Sequence, residues 1–130
     1  MTLRILGSSA KGNCYILENA TEALIIECGV KLSEVKKALN FNISKIVGCL
    51  LTHEHGDHAK YVEEFTKAGI SVFASAGTHN AIGNNSHRAF IMSKGNTQEI
   101  GSFKVMCFDV QHDAAEPLGF IINHPETGNV

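Results

Sequence analysis

The stretch "LTHEHGDHAK", residues 51–60, places three of the chain's seven histidines and one aspartate within six consecutive positions. It directly follows "KIVGCLL", residues 45–51, whose apolar composition is typical of a buried β-strand. Because side chains alternate in an extended segment, His53, His55 and Asp57 can leave the backbone on the same side. Ligands bind at the carboxyl ends of strands in open α/β sheets, so the cluster lies where a binding site is expected.

The cluster has the chemistry of a metal site. Gly56 is expected to let the chain turn sharply, with Asp57 as the N-cap of the next helix and His58 in its first turn. Imidazole nitrogens and a carboxylate oxygen are ligands of zinc, iron or manganese rather than calcium. Histidines scattered over a surface are the alternative, but imidazoles packed this closely repel when protonated unless a cation replaces the protons. The spacing therefore predicts a metal site.

Length and composition limit the class of protein. The 130 residues fit one domain over residues 1–130, and the hydrophobic fraction of 44% with a charged fraction of 18% is globular. With a net charge of −2 and scattered lysines and arginines, the chain has no basic stripe of a nucleic-acid surface. A metal-centred nuclease can still bind phosphate through its metal. No signal peptide or membrane-spanning run is indicated, and a cytoplasmic location without membrane partners is expected.

The four cysteines occur singly inside apolar runs, and no pair has C-x-x-C spacing. Buried, reduced thiols are therefore expected rather than disulfides or a thiolate zinc site. Cys28, near a predicted strand end, is the one that could act as a soft ligand.

Short apolar segments separated by turn residues predict strands that alternate with helices, an α/β class. The segment "ALIIEC", residues 23–28, is apolar at consecutive positions, as in a strand covered on both faces. Helices are predicted over residues 31–40, with Ser33 as N-cap, and over residues 57–68. "HPETGN" predicts the first arm of a hairpin without its return arm, which leaves an open sheet edge. Further strands are predicted at residues 3–6, 14–18, 70–74, 89–92, 96–110 (two strands turning at Gly101-Ser102) and 118–123, with a small helix at 77–83.

Three motifs resemble one family. "THEHGDH", residues 52–58, matches the H-x-H-x-D-H signature of the metallo-β-lactamase-fold hydrolases. "ALIIECG" resembles the strand that ends in aspartate and glycine in that family, and "VQHDAAEPLGF", residues 110–120, resembles the segment with the next metal histidine. With "GSSAKGNC", residues 7–14, the pattern most resembles the YycJ-like branch, bacterial proteins associated with DNA exonuclease activity. The resemblance implies an α/β (α+β) metallo-β-lactamase-type αββα sandwich, of which this chain covers the N-terminal half to two-thirds.

The resemblance also implies one or two divalent metal ions, zinc before manganese or iron. By position, His53, His55 and His112 would bind the first ion, and Asp57 with His58 would face the second. Asp57 would also orient the attacking water or act as general base. The family's bridging aspartate and last histidine do not occur in the chain.

The same resemblance implies residues that would support the metal site or bind the substrate. Glu27 stands where the family usually has aspartate and would hold the ligand loop by hydrogen bonds. Ser8, Lys11 and Asn13 could orient a phosphate, although a simple polar turn explains them as well. The remaining histidines, His79, His87 and His124, are expected to be structural or on the surface.

The main hypothesis is a metal-dependent hydrolase that cleaves phosphodiester bonds, of nucleic acid or related substrates, through a metal-activated water. Three readings stay open: a fragment of such a hydrolase, a chain that pairs with a second copy to cover its open edge, and a member that binds metal without catalysis. The alternative function is accordingly a non-catalytic metal-binding half-domain that self-associates.

Overall fold

The computed structural model describes residues 1–111 and 113–126, and the backbone of residues 128–129. His112, predicted as a metal ligand, lies outside the described residues. Six strands form one sheet in sequence order; the first three are antiparallel and the last four are parallel. They are β1 (Thr2–Ser9), β2 (Gly12–Glu18), β3 (Ala23–Ile26), β4 (Ile46–Leu50), β5 (Val72–Ala74) and β6 (Ala89–Ile91).

The helices connect the parallel strands and cover one face of this sheet, as β-α-β crossovers require. Val35 and Phe65 are fully buried there against strand residues such as Ile25 and Cys49. Burying a side chain of this size stabilises the fold by roughly 2 kcal/mol. The helices are α1 (Leu32–Ala38), α2 (Gly56–Ala59), α3 (Val62–Lys67) and α4 (Ala76–Ile82), with a 3-10 turn at Ile43–Lys45.

A second, antiparallel sheet packs on the other face of the first. Its strands are β7 (Thr97–Ile100), β8 (Phe103–Asp109), β9 (Leu118–His124) and β10 (Gly128–Asn129). Their order in the sheet is β10-β9-β8-β7. In β8 the residues Phe103, Val105 and Cys107 are buried against the first sheet, whereas the residues between them are exposed.

The β3 strand confirms the prediction of burial on both faces. Leu24 belongs to the core between the two sheets, and Ile25 to the core under the helices. The prediction for the chain terminus was wrong in one respect: β10 pairs antiparallel with β9, with Gly128 opposite His124, so the return arm of the hairpin begins within this chain.

Two helix predictions were wrong. Ser33 is exposed inside α1 and does not cap it, because the helix begins at Leu32 with Lys31 as N-cap. The helix predicted over residues 57–68 is divided into α2 and α3. The backbone N–H of Tyr61 donates to the carbonyl of Cys28 at 3.0 Å, and this bond takes the chain out of the helical path.

The start of α2 also differs from the prediction. His55, not Asp57, is the N-cap, and Asp57 lies inside the first turn. Gly56 is not among the residues with positive φ, so the turn does not depend on glycine there. The Asp57 carboxylate is therefore available for contacts outside its own helix.

All four cysteines are buried, which confirms the predicted burial, and none is paired with another. Burial, reinforced by nearby Cys28 and Glu27, raises the pKa of Cys14 to about 12. Within the described ranges, no helix combines the length and the apolar character needed to cross a membrane.

Candidate metal centre

The site lies where two parallel strands end side by side. Ile26 of β3 is opposite Leu50 of β4, so Glu27 and Thr52 follow neighbouring strand ends. Glu27 has φ of +71°, a conformation that costs a residue with a side chain on the order of 1 kcal/mol. Its backbone N–H donates to the Leu50 carbonyl at 2.7 Å, which holds the unusual conformation.

Glu27 is only 2% exposed, and its carboxylate accepts three hydrogen bonds. The Thr52 backbone N–H donates to Oε1 at 2.8 Å, and the Thr52 hydroxyl donates to Oε2 at 2.8 Å. The Nδ1 atom of His58 makes a short hydrogen bond to the same Oε2. These donors satisfy the buried charge and fix the carboxylate in place.

The Glu27 carboxylate also decides where two imidazoles carry their protons. A carboxylate can only accept, so the His58 proton is on Nδ1. The single Thr52 hydroxyl proton points to Glu27, so Thr52 Oγ1 accepts from Nδ1 of His53, at 2.7 Å. When either histidine is neutral, its lone pair is therefore on Nε2, the atom suited to a metal ion.

His58 lies between two carboxylates. Its Nδ1 faces Glu27, and its Nε2 is 3.3 Å from Oδ2 of Asp57. The hydrogen bond with Glu27 raises the pKa of His58 above its ordinary value; burial opposes this shift, and the charges of Glu27 and Asp57 add to it. A lone pair on Nε2 would face an anionic oxygen, so a cation, either a proton or a metal ion, is favoured at this point.

The Asp57 carboxylate is held by Asn13. The side-chain amide of Asn13 donates to Oδ2 and to the backbone carbonyl of Asp57, each at 3.1 Å, and lies 3.4 Å from Nε2 of His58. Asn13 is itself 8% exposed. The structure thus places this predicted substrate-binding residue inside the cluster. Ser8 and Lys11 are exposed on the same hairpin, and neither side chain hydrogen-bonds to the cluster in the described part of the chain.

Gly29 allows the three site segments to approach one another. A Cβ atom there would overlap the backbone carbonyl oxygen of Asp57 and come within 2.6 Å of the Asn13 nitrogen. The backbone N–H of Gly29 donates to the Asn13 carbonyl at 2.9 Å, and that of Cys28 donates to the His58 carbonyl at 2.8 Å. A side chain at position 29 would push these segments apart.

The imidazoles meet at close range. The ring centroids of His53 and His58 are 4.1 Å apart, and those of His53 and His55 are 4.7 Å apart. Potential ligand atoms of Glu27, His53 and His58 all lie within 4.8 Å of one another. Imidazole nitrogens and carboxylate oxygens in this arrangement fit zinc or a similar divalent ion, because these are the ligand atoms that such ions take in proteins.

Two of the histidines outside the cluster, His79 and His124, make structural contacts. Buried His79 donates from Nε2 to the Phe90 carbonyl at 2.9 Å, and its Nδ1 accepts from Asn84. Buried His124 accepts the Glu126 backbone N–H on Nδ1 and packs on the Phe103 ring. His87 is exposed.

Sequence reasoning missed two residues of the site. Thr52 links Glu27 to His53, and the only sequence signal for it is its place next to the first histidine. Glu54, between two ligand candidates, points to a different segment, and its Oε2 accepts the Ala115 backbone N–H at 2.8 Å.

The fold and these motifs agree with a comparison against known proteins. The family described as the Metallo-beta-lactamase superfamily matches residues 10–123, and the chain belongs to this superfamily. The predicted family and fold class are therefore confirmed. A solved relative, the metallo-beta-lactamase fold protein YhfI from Bacillus subtilis, aligns with a TM-score of 0.73 at 14% identity, covering 92% of this chain and 56% of that one.

Two curated relatives lie in the predicted branch. The chain is 33% identical over 129 residues to the Exodeoxyribonuclease YycJ of Bacillus anthracis, covering 92% of this chain and 49% of the relative. It is 29% identical over 124 residues to the Exodeoxyribonuclease WalJ of Streptococcus pneumoniae serotype 2, covering 87% and 46% respectively. The chain thus spans about half the length of the curated relatives that it matches.

Proposed function

We propose that this chain forms the metal-binding part of a metal-dependent hydrolase that cleaves phosphodiester bonds in nucleic acid. The observation that carries the proposal is the position of His58 between the Glu27 and Asp57 carboxylates, beside the ring of His53. The similarity to two proteins named as exodeoxyribonucleases supports DNA as the substrate class. The free, buried thiols suit a reducing compartment, which supports a cytoplasmic location.

The ligand assignment follows the sequence motifs. His53, His55 and His112 would hold the first ion, and Asp57 with His58 would face a second. Zinc suits this set best, with manganese or iron as alternatives. A divalent ion at this position supplies Lewis acidity and makes a bound water acidic enough to react near neutral pH.

Glu27 belongs to the compact group of ligand atoms, but its hydrogen bonds argue for a supporting role. Both of its oxygens already accept from Thr52 or His58. A carboxylate in this position makes the imidazoles better ligands by fixing their protons on Nδ1.

The chain's own residues would act as follows. Asp57, aligned by Asn13, would orient the attacking water and accept its proton. Ser8 and Lys11, exposed on the β1–β2 hairpin that carries Asn13, would contact the substrate phosphates.

The test is metal content followed by activity. Protein purified without a histidine tag is expected to hold at least one equivalent of zinc, iron or manganese, measured by elemental analysis. His53→Ala and His55→Ala should lose it, whereas His87→Ala, an exposed histidine elsewhere, should not. Unchanged metal content in the first two variants would show that the site is misassigned. Release of nucleotides from end-labelled single-stranded and duplex DNA with added Mn²⁺ then tests the reaction.

The second candidate is a non-catalytic metal-binding chain that associates with a second copy. It is favoured by Leu3 and Ile5, which are 52% and 62% exposed on the edge strand β1. A stable, inactive dimer by light scattering, converted to monomer by Ile5→Lys, would support this candidate. Turnover by an isolated monomer would exclude it.

A further inference from the structure

The segment at residues 113–117 lies between β8 and β9 and contacts residues 52–58, the metal loop, which carries the candidate ligands. Among the described residues, none of the backbone hydrogen bonds of this segment is made within the segment itself. Its position therefore depends on contacts to other elements. The segment begins directly after His112 in the sequence.

Glu54 makes the side-chain contact from the metal loop to this segment. Its Oε2 accepts the Ala115 backbone N–H at 2.8 Å. Its Oε1 is buried and has no hydrogen-bond partner among the described residues. Among the described residues, the Ala115 N–H is therefore the one hydrogen-bond donor to this carboxylate.

Further hydrogen bonds hold this segment and Leu118, the first residue of β9, which follows it. On the metal-loop side, the carbonyl of Thr52 accepts the Leu118 backbone N–H at 2.9 Å. At the start of α4, the Ser75 hydroxyl donates to the Glu116 carbonyl at 2.7 Å, and the Gly77 backbone N–H donates to Glu116 Oε1 at 2.8 Å. The segment is therefore fixed at both its α4 side and its metal-loop side.

We propose that Glu54 is a positioning residue that couples the metal loop to the 113–117 segment, and that this contact sets the geometry of metal binding. The inference rests on the proposed function, because it takes the residue before this segment, His112, as a ligand. Glu54 lies between His53 and His55 in the sequence, and its side chain contacts the segment that follows His112. It therefore links the two parts of the chain that carry the proposed ligands. Loss of the Ala115 contact leaves the Thr52–Leu118 hydrogen bond as the described contact on the metal-loop side, so residues 113–117 can shift there while the α4 contacts stay intact.

Glu54→Gln keeps a carbonyl oxygen for the Ala115 N–H and removes the buried charge, whereas Glu54→Ala removes the contact. Glu99→Ala is the matched control, because Glu99 is exposed in β7 of the second sheet. Circular dichroism and thermal unfolding check that each variant folds. Two readouts follow: amide hydrogen exchange of peptides covering residues 113–118 in metal-free protein, and the visible spectrum and affinity in a Co²⁺ titration.

Glu54→Ala is expected to speed exchange at residues 113–118, to change the Co²⁺ spectrum and to weaken Co²⁺ binding about tenfold or more. Glu54→Gln and Glu99→Ala should resemble the unsubstituted chain in all three respects. Faster exchange with an unchanged Co²⁺ spectrum and affinity would overturn the positioning role. If Glu54→Gln behaves as Glu54→Ala does, the hydrogen bond to Ala115 is not the operative contact, and the inference is overturned.

His53→Ala separates this inference from the proposed function. If His53→Ala abolishes Co²⁺ binding while Glu54→Ala keeps wild-type affinity and spectrum, only the positioning role of Glu54 fails. If His53→Ala leaves Co²⁺ binding unchanged, the metal site itself is misassigned and the proposed function fails.

Discussion

The side-chain amide of Asn13 donates to the carboxylate of Asp57 at 3.1 Å, although the two residues are 44 positions apart in the chain. Asn13 lies at the start of β2, next to the turn of the β1–β2 hairpin, and Asp57 lies in the first turn of α2. The same amide also reaches the Asp57 carbonyl, so it fixes both the backbone and the side chain of this residue. The orientation of Asp57 is therefore set by the first hairpin rather than by its own helix.

Asn13→Ala should lower metal affinity by about ten- to a hundredfold, because Asp57 loses the partner that orients it. The free energy of unfolding should fall by about 2 kcal/mol, as expected when hydrogen bonds to a partly buried carboxylate are lost. Isothermal titration with Zn²⁺ and urea unfolding measure the two effects. Lys11→Ala, exposed on the same hairpin, is the control and should leave both unchanged. Equal affinities in the two variants would contradict the role given to Asn13.

Gly29→Ala should destabilise the protein by about 3 kcal/mol or more, because the new methyl group would overlap the Asp57 carbonyl oxygen and meet the Asn13 nitrogen at 2.6 Å. Both contacts are with backbone atoms, which cannot move without separating the site segments. Gly56→Ala is the matched control, since a Cβ there has no neighbour within 4 Å. Thermal unfolding of the metal-free proteins checks the difference, and a Gly29→Ala variant as stable as Gly56→Ala would contradict the close approach.

Glu27→Gln should lower the pKa of His58 towards its ordinary value. The hydrogen bond with the Glu27 carboxylate favours the protonated imidazole, and the neutral amide removes that charge. The proton of neutral His58 should also leave Nδ1 in a fraction of the molecules, because the amide group can donate. Nitrogen NMR of the imidazoles in metal-free protein reports both effects. Glu99→Gln, in an exposed position of β7, should leave the His58 signals in place.

The contribution of Glu18 to the stability of the protein should depend on pH. Burial raises the pKa of Glu18, but hydrogen bonds from Lys45 and Arg4 outweigh it and hold the pKa below its ordinary value. A lowered pKa in the folded state contributes stability that is present above the ordinary glutamate pKa of about 4.3 and is lost as pH falls through the lower folded-state value.

Glu18→Gln should accordingly cost about 2 kcal/mol at pH 7, the range for hydrogen bonds to a charged group, and the cost should disappear at strongly acid pH. Urea unfolding of both proteins across this pH range measures it. Glu63→Gln serves as the control, because Glu63 and its partner Lys67 are both exposed and their pair should not change the curve. A cost at pH 7 that persists unchanged in acid would contradict the ionic origin.

The sequence predicted the parts of the fold that depend on local pattern. Consecutive apolar residues in "ALIIEC" indicated a strand covered on both faces, and the turn at Gly101-Ser102 indicated the strand pair that the structure shows as β7 and β8. The division between α2 and α3 could not be predicted, because the bond that divides them comes from Cys28, 33 positions before Tyr61. The positive φ of Glu27 likewise depends on Leu50, a residue of the neighbouring strand.

Prediction of the candidate site from the sequence has the same limit. The spacing of His53, His55, Asp57 and His58 sufficed to predict a cluster, because an extended segment and a helical turn bring nearby residues together. The structure places Asn13 against Asp57 through the hairpin, a contact that no local pattern encodes. The roles of Thr52 and Glu54 depend on hydrogen bonds with Glu27 and Ala115, which are distant in the chain, so the position of each residue beside a histidine did not predict its role.

The pairing of β3 with β4 has a consequence for the order of folding. Asn13, Glu27, His53, Asp57 and His58 all lie within the first 58 residues, and adjacent strands of one sheet bring them together. The longest separation among them, between Asn13 and His58, is 45 positions, whereas Glu54 and Ala115 are 61 positions apart, and a shorter loop costs less entropy to close. We therefore expect a nascent chain to assemble this half of the centre before β8 and β9 dock, and to acquire affinity for a cation while its second sheet is still unfolded.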